Sequence, residues 1–249
     1  MTHSAPPRSV LAVTGPDRIG FLQDLVTNDL RGLEHGPVYA ALLSPQGKYL
    51  ADFILVADAE SVLVDVAEPL AEGLARRLGM YRLRRKVEIA PTALRVETGE
   101  GTPPEGAFAD PRDAGLGWRR IGATAGPGPS DALRVDLMVP EATVELIPEE
   151  SYVLEMGFER LHGVDFRKGC YVGQEIVARM KHKTELRKGL ARVLVDGAAA
   201  PGAAVEAGGR PVGTLGTVAG GRALATLRFD RTGETMTAGD AVVAFDRRG

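Results

Sequence analysis

The chain has 249 residues, which exceeds a typical single domain and indicates two compact units. Its 44% hydrophobic and 25% charged residues are typical of a soluble globular protein, and a net charge of −3 argues against a broad nucleic-acid surface. No stretch approaches the roughly 18 apolar residues of a membrane span, and residues 2–8 lack the apolar stretch of a signal peptide. A single cysteine excludes an intramolecular disulfide. These features predict a cytoplasmic protein without membrane or nucleic-acid partners.

The first hundred residues alternate between strand and helix patterns. A short apolar run at 9–14 precedes apolar residues at helical spacing over 16–27, and a Ser-Pro-Gln-Gly turn at 44–47 joins two runs typical of a hairpin. The hairpin strands are Val38–Leu43 and Tyr49–Val56, followed by strand 61–66, helix 68–78 and strands 87–90 and 94–97. This order predicts an α+β layer in which helices pack on a sheet.

The rest of the chain changes character twice. Gly/Pro-rich stretches at 98–106 and 122–130 indicate exposed connections, and 149–161 is predicted to be a helix. From residue 189 onward, short β-like runs alternate with glycine turns, which is typical of a small barrel; the runs are 190–195, 215–218, 223–229 and 241–245. We therefore expect a core over 1–188, with subdomains of about 1–100 and 101–188, and a barrel over 189–249.

The segment Phe166–Glu175 combines a thiol, a phenol, three charges, an amide and two glycines in ten residues. Apolar residues at helical spacing after it predict a helix that starts near Gly173, so Cys170 is expected close to a helix N-terminus. Together with Arg167 and Lys168, that position favours the thiolate over the thiol. A buried structural cysteine in a tight turn is the alternative interpretation, since free cysteines are often buried.

Residues Lys168–Glu175 match the K-G-C-Y-x-G-Q-E signature of the YgfZ family at every specified position, and the chain resembles this family elsewhere. The other similar segments are Gly15–Asp29, Leu42–Asp52, Tyr81–Ile89, and the D-P-R and L-G-x-R motifs within 110–119. The resemblance implies a tetrahydrofolate-binding fold shared with the glycine-cleavage T-protein, with α+β subdomains of βαβ type around a central funnel and a small C-terminal β-barrel. It also implies that the protein supports assembly or repair of iron–sulfur clusters in client enzymes, through transient contacts with client or assembly proteins.

By the same resemblance, the functional residues are Cys170, Lys168, Tyr171 and Gln174. No resident metal is expected, because a protein-held cluster normally needs about four ligands. The chain offers one thiol, and its histidines show no ligand spacing beside it; they are His3, His35, His162 and His182. The thiol is thus expected to contact a cluster transiently, bridge to a partner's thiol, or react with a folate-derived one-carbon unit.

A bound folate needs flat apolar walls, hydrogen-bonding partners for its pterin and cations for its glutamate tail. The residues expected to contact tetrahydrofolate, or a one-carbon derivative of it, are Glu175, Arg179, Tyr171, Trp118 and Asp52. Further candidates are Tyr39 for a wall and Arg112, Arg119 and Arg134 for the carboxylates. Met138 stands where the family often has glycine, close to the expected folate wall.

Two other functions suit the same fold. A folate-dependent aminomethyltransferase of the T-protein type would carry two adjacent acids after the hairpin turn, but this chain has Ala51-Asp52 and keeps one carboxylate. A scaffold that has lost the chemistry would not need Cys170. The basic stretch Arg76–Lys86 contains only Tyr81 as an aromatic residue and is interpreted as a solvated face rather than an RNA site.

Overall fold

The computed structural model describes residues 5–182, 185–232 and 235–246, so His3 lies outside the described part. The core strands are β1 (Arg8–Thr14), β2 (Val38–Leu43), β3 (Tyr49–Asp58), β4 (Ser61–Ala67), β5 (Glu88–Pro91), β6 (Arg95–Gly99), β7 (Phe108–Ala109) and β8 (Trp118–Gly122). The helices are α1 (Arg18–Gln23), α2 (Glu68–Tyr81), α3 (Asp131–Asp136) and α4 (Gln174–His182). The later strands are β9 (Lys188–Asp196), β10 (Ala204–Ala207), β11 (Arg210–Ala219), β12 (Arg222–Arg228), β13 (Met236–Ala238) and β14 (Ala241–Phe245).

The main sheet has the strand order β2-β3-β4-β1-β5, and every neighbouring pair is antiparallel. Strands β4 and β5 flank β1 and therefore run parallel to each other, so β4-α2-β5 is a split βαβ unit. Alternate residues of β2 face opposite layers: Val38 and Leu42 pack toward α1 and α2, whereas Tyr39 and Leu43 pack on the segment 139–177. Because both faces are covered, β2 is apolar along its whole length.

The predicted barrel is confirmed as a closed six-stranded structure with the order β10-β11-β12-β9-β14-β13. Closure leaves no sheet edge unpaired, and alternate residues of each strand fill the interior. The barrel is joined to the core through buried polar contacts. The guanidinium of Arg134 donates to Thr217 Oγ1 at 2.9 Å, and the carboxylate of Glu145 accepts from Thr217 N at 2.6 Å.

Two predicted helices differ in the structure. Helix α1 ends at Gln23 instead of residue 27, because Val26 forms a β-bridge with Leu42. The helix predicted over 149–161 is wrong: the segment has a turn at 148–150, in which Glu149 has a φ of +65°, and a series of turns over 153–162. Its backbone bonds mix helical spacing with longer ones such as Phe158 N to Val153 O. Its apolar side chains are buried on all sides, which mimics helical periodicity in the sequence.

Candidate functional site

Cys170 lies at the tip of a loop that connects the turns of 152–162 with α4. Gly169 and Cys170 are exposed, whereas the residues on either side, Lys168 and Tyr171, are buried. The tip of the loop therefore meets solvent while its two flanks are fixed in the protein. The thiol is accessible, which is the opposite of a buried packing cysteine. We call residues 163–173 the cysteine loop.

Lys168 anchors the cysteine loop. Its Nζ donates hydrogen bonds to three backbone oxygens, those of Gln23 at 2.7 Å, Val26 at 2.6 Å and Asn28 at 3.0 Å. Burial lowers the pKa of Lys168 to about 8, although the nearby Asp29 and Asp24 oppose this shift. Its three ammonium protons suffice for these three carbonyls, so Lys168 holds the loop in place.

Two polar side chains join the start of the loop to the same neighbouring segment. Thr27 Oγ1 donates to Gly163 O at 2.6 Å and accepts from Ala41 N at 2.9 Å. Asn28 Nδ2 donates to His162 O at 2.6 Å and to Tyr39 O at 2.8 Å. These contacts attach the loop to strand β2, so the position of Cys170 is set by the main sheet.

The other end of the loop rests on the β2–β3 turn. Gly173 has a φ of +83°, and a Cβ there would lie 2.6 Å from Ser44 O and 3.1 Å from Gly47 Cα. Only glycine tolerates both this backbone angle and this close approach. The hairpin turn and the start of α4 are thus in contact, which explains why two motifs 126 residues apart, at Gly47 and Gly173, both require glycine.

The first turn of α4 presents polar groups beside the loop. Helix α4 starts at Gln174, one residue after the predicted position, and the backbone N–H of Gln174 donates to Tyr171 O at 3.2 Å. Glu175 and Arg179 are exposed and lie four residues apart, which places them on one helix face. Neither side chain has a hydrogen bond or ion pair with another described residue, so both are available to a partner or ligand.

A second cluster lies at the centre of the core, where buried acids and arginines form an ion-pair layer. Asp65 is fully buried and accepts from Arg8 Nε at 2.6 Å and from Arg119 Nη2 at 2.5 Å. Asp110 accepts a bidentate pair from Arg112 at 2.8 and 3.0 Å and a third bond from Arg119 at 3.0 Å. Burial alone would raise the pKa of Asp65 and of Asp110, but the arginines outweigh it and hold both pKa values below their usual range.

Asp52 belongs to a separate buried cluster with two tyrosines. The phenols of Tyr39 and Tyr49 donate to its two carboxylate oxygens at 3.0 and 2.7 Å. Burial, together with the Asp52 carboxylate, raises the pKa of both tyrosines well above the usual value. The Arg112 guanidinium lies 5.9 Å from the centre of the Tyr39 ring and so connects this cluster to the ion-pair layer.

A cavity of about 460 Å³ opens against the ion-pair layer. Its polar wall includes Arg8, Arg112, Arg119 and Glu141, and its apolar wall includes Pro6, Pro7, Val96, Pro127 and Pro129. Glu141 is 4% exposed and accepts a hydrogen bond from Ala142 N at 3.2 Å. The nearest cations to its carboxylate are Arg134 Nε at 3.9 Å and Arg8 Nη1 at 4.0 Å, beyond hydrogen-bond length. Glu141 therefore keeps acceptor capacity toward the cavity.

The structure separates the residues predicted to contact folate. None of Glu175, Arg179, Tyr171, Trp118 and Asp52 lines this cavity, whereas the further candidates Arg112 and Arg119 do. Trp118 packs on Gly99 and donates from Nε1 to Glu100 O at 3.3 Å, away from the cavity. Tyr171 is buried beside Lys168, whose Nζ lies 5.1 Å from the ring centre.

Sequence reasoning missed two polar residues of the cavity wall, Arg8 and Glu141, and Asp65 of the ion-pair layer behind it. Asp65 sits inside the apolar strand Ser61–Ala67, and a lone acid in a fully buried strand is a signal that a cation must lie opposite. No comparable local signal distinguishes Arg8 or Glu141. Met138 has a φ of +52°, a backbone angle that glycine adopts with less strain. This agrees with the glycine expected at this position from the resemblance to the YgfZ family. In the described part of the chain, no group of three or more His, Cys, Asp or Glu residues is arranged to hold a metal.

Comparison with known proteins supports a common origin with a group of assembly factors. The "Iron-sulfur cluster assembly factor IBA57, mitochondrial" of Mus musculus is 33% identical over 272 residues, which cover 90% of this chain and 76% of that protein. The Homo sapiens protein of the same name is 33% identical over 267 residues, which cover 88% of this chain and 75% of that protein. Residues 187–248 match the family model described as "CAF17, C-terminal beta-barrel domain".

The fold has a wider likeness. The crystal structure of glycine cleavage system aminomethyltransferase T from Bartonella henselae superposes with a TM-score of 0.71 over 97% of this chain and 85% of that one, at 12% identity. The predicted α+β fold of T-protein type with a C-terminal barrel is thereby confirmed.

The predicted cytoplasmic location is wrong, because the mouse and human relatives are both named mitochondrial. No described helix is long and apolar enough to cross a membrane. With one-third identity across about nine-tenths of its length, the chain belongs to the IBA57 family of iron–sulfur cluster assembly factors.

Proposed function

We propose that the protein supports assembly or repair of iron–sulfur clusters in client proteins, with Cys170 as the thiol that contacts the cluster. The observation that carries this proposal is the exposure of the only cysteine at the tip of a loop whose base is buried. An accessible thiol on a fixed support can meet the same atom of a partner repeatedly. Membership of the IBA57 family supports the same role.

The cluster is cargo in this proposal. Cluster irons are held by about four protein ligands, and in the described part of the chain no three His, Cys, Asp or Glu residues are grouped so that they could hold a metal. The remaining ligands come from a partner, an iron–sulfur client or another assembly protein, during a transient contact. Gln174, Glu175 and Arg179 belong to the helix that follows the cysteine loop and are the residues we assign to that contact.

The role of the thiol is tested by removing it and by moving it to another surface of the protein. Cys170→Ser should abolish rescue of iron–sulfur enzyme activity in cells that lack the native protein, while the soluble level of the variant stays unchanged. The matched control is Cys170→Ser combined with Arg210→Cys, which places one exposed thiol on the barrel; it should fail to rescue. Full rescue by the single variant would show that the cysteine is dispensable.

We further propose that the cavity beside the ion-pair layer binds tetrahydrofolate or a one-carbon derivative, which would supply or accept one-carbon units. The residues suit such a ligand: prolines give flat apolar walls, the free acceptor capacity of Glu141 suits the N–H groups of a pterin, and Arg8, Arg112 and Arg119 suit carboxylates. The T-protein-like fold supports the proposal at the level of architecture.

Calorimetric titration with tetrahydrofolate tests the cavity. Glu141→Gln should weaken binding by about tenfold or more, because a charge-assisted hydrogen bond contributes about 1.5–3 kcal/mol. Glu206→Gln, which removes an exposed carboxylate of the barrel, should leave binding unchanged. Equal binding of tetrahydrofolate by wild type and Glu141→Gln would show that this cavity is not the folate site.

An aminomethyltransferase is the alternative function, and the shared fold is what favours it. Asp52 is the carboxylate that would serve this chemistry, but Tyr39 and Tyr49 occupy both of its oxygens and it does not line the cavity. Transfer of an aminomethyl group from a lipoyl carrier to tetrahydrofolate by the purified protein would make this alternative the better account. We expect no transfer.

A further inference from the structure

Leu83 is held in an unfavourable conformation with its side chain in water. It is 88% exposed and has a φ of +44°. It occupies the second position of a tight turn in which Arg85 N donates to Arg82 O at 2.8 Å. Glycine or asparagine would fit this backbone with less strain, and any polar residue would suit the exposure better. Strain combined with an exposed large apolar side chain points to a role in contact with another molecule.

The leucine lies at the rim of a hollow of about 670 Å³, which we call the Leu83 hollow. Its lining residues are Phe21, Asp24, Leu25, Tyr81, Leu83, Arg84 and Arg85. Phe21 and Leu25 belong to the core and are 2% and 5% exposed. The hollow is therefore a concave apolar site with a rigid floor, a form that accepts the apolar side chain of a partner.

The rim of the Leu83 hollow is cationic. Residues 82–86 are all exposed and four of the five are Arg or Lys. Arg85 is paired with Asp24 at 2.6 Å. Arg82, Arg84 and Lys86 have no ion pair with any described residue, in a chain whose net charge is −3. Arg84 lines the hollow, and Arg82 and Lys86 lie close to it in the chain, so the unpaired charges favour a negatively charged partner.

The Leu83 hollow and the cysteine loop share one support. Lys168 Nζ donates to the backbone oxygens of Gln23 and Val26, and the residues between them, Asp24 and Leu25, line the hollow. A molecule in the hollow is therefore placed beside the base of the loop that carries Cys170.

From this arrangement we infer that the Leu83 hollow docks an acidic segment of a partner protein that inserts an apolar side chain between Leu83, Phe21 and Leu25. The inference rests on the proposed function, because the partner is the protein that gives or receives a cluster at Cys170. A concave apolar floor favours a protein segment over a membrane, whose flat surface would leave the floor uncovered. RNA is disfavoured because the hollow offers only partly buried Tyr81 and buried Phe21 for stacking.

Fluorescence anisotropy with a defined probe tests the inference on the full-length protein. The probe is a labelled amphipathic peptide with leucines on one face and glutamates on the other; a peptide with lysines in place of glutamates, a uridine oligonucleotide and anionic lipid vesicles serve as comparisons. Leu83→Gly removes the side chain and the strain without harming the fold. It should weaken binding of the acidic peptide by about tenfold, as should the double variant Arg82→Glu/Arg84→Glu.

Arg210→Glu on the barrel is the matched charge reversal and should bind the acidic peptide like wild type. Higher salt should weaken binding by wild type, since the rim charges are exposed. Equal binding of the acidic peptide by wild type and Leu83→Gly would overturn the inference. So would binding of the oligonucleotide or the vesicles that is tighter than binding of the peptide and depends on Leu83. A dimer that sedimentation detects in wild type and not in Leu83→Gly would overturn it as well. Cys170→Ser should keep peptide binding and lose cluster handling, so a failure of the proposed function is distinguishable from a failure of docking.

Discussion

The cysteine loop and the ion-pair layer both bury positive charge, but they balance it in different ways. In the ion-pair layer, Asp65 and Asp110 neutralise the arginines around them through charge-assisted hydrogen bonds. In the loop, the ammonium of Lys168 is met only by neutral backbone oxygens, with carboxylates farther away. The stability of the ion-pair layer therefore depends on charge pairing. The position of the loop depends on the dipoles of three backbone carbonyls that converge on Lys168 Nζ. Lys168 and the ion-pair layer set the geometry of the core, whereas Cys170 is the reactive side chain that the loop exposes.

The largest effect is expected where a charge pair is broken in the layer. Asp65→Asn keeps the volume of the side chain but leaves Arg8 and Arg119 without their shared counter-charge, so the free energy of unfolding should fall by about 3–5 kcal/mol. Urea denaturation measures this change. Glu72→Gln, which breaks an exposed pair with Arg76, should change the same quantity by less than about 0.5 kcal/mol. A loss below about 1 kcal/mol for Asp65→Asn would show that the layer does not depend on charge pairing.

A smaller but clear loss is expected at the anchor of the loop. Lys168→Met keeps the apolar stem and removes the donor of three hydrogen bonds to backbone carbonyls, one buried and two partly buried, so the free energy of unfolding should fall by about 2–3 kcal/mol. Lys181→Met is the control, because Lys181 is exposed and, among the described residues, pairs with Glu159 and the Phe166 ring. If Lys168→Met were as stable as wild type but lost cluster handling, Lys168 would act in the chemistry and our assignment of it as an anchor would fail.

The layer also predicts how stability changes in acid. Asp65 and Asp110 have pKa values below their usual range in the folded protein, so the unfolded chain takes up protons first as the pH falls below about 4. Their contribution is complete above that pH and is lost as the pH falls toward the folded pKa values, by up to about 1.4 kcal/mol per pH unit for each carboxylate. Asp110→Asn should give a flatter dependence of unfolding free energy on pH. An unchanged slope in denaturation series at acid pH would contradict this.

The sequence indicated the local elements better than their assembly. The β2–β3 hairpin and the barrel strands follow from alternation and glycine turns, because these signals are local. The turns of 152–162 were mistaken for a helix since their apolar residues are buried on every side, and burial is a tertiary property. Lys168 was expected beside the thiol because it lies two residues away, but its rotamer directs Nζ into the 23–28 segment. Arg8 and Asp65 are 57 residues apart; the lone acid in a buried strand signals that a cation lies opposite, but nothing in the sequence around Arg8 identifies it as that cation.

The smallest effect on stability is expected at the tip of the loop. Because Cys170 is exposed and its fixed neighbours carry the packing, Cys170→Ser should change the free energy of unfolding by less than about 0.5 kcal/mol. The thiol should also react with an alkylating reagent in the folded protein about as fast as in urea, which a mass-spectrometric time course measures. Alkylation only after unfolding would mean that the thiol is shielded, and the functional proposal for Cys170 would lose its physical basis.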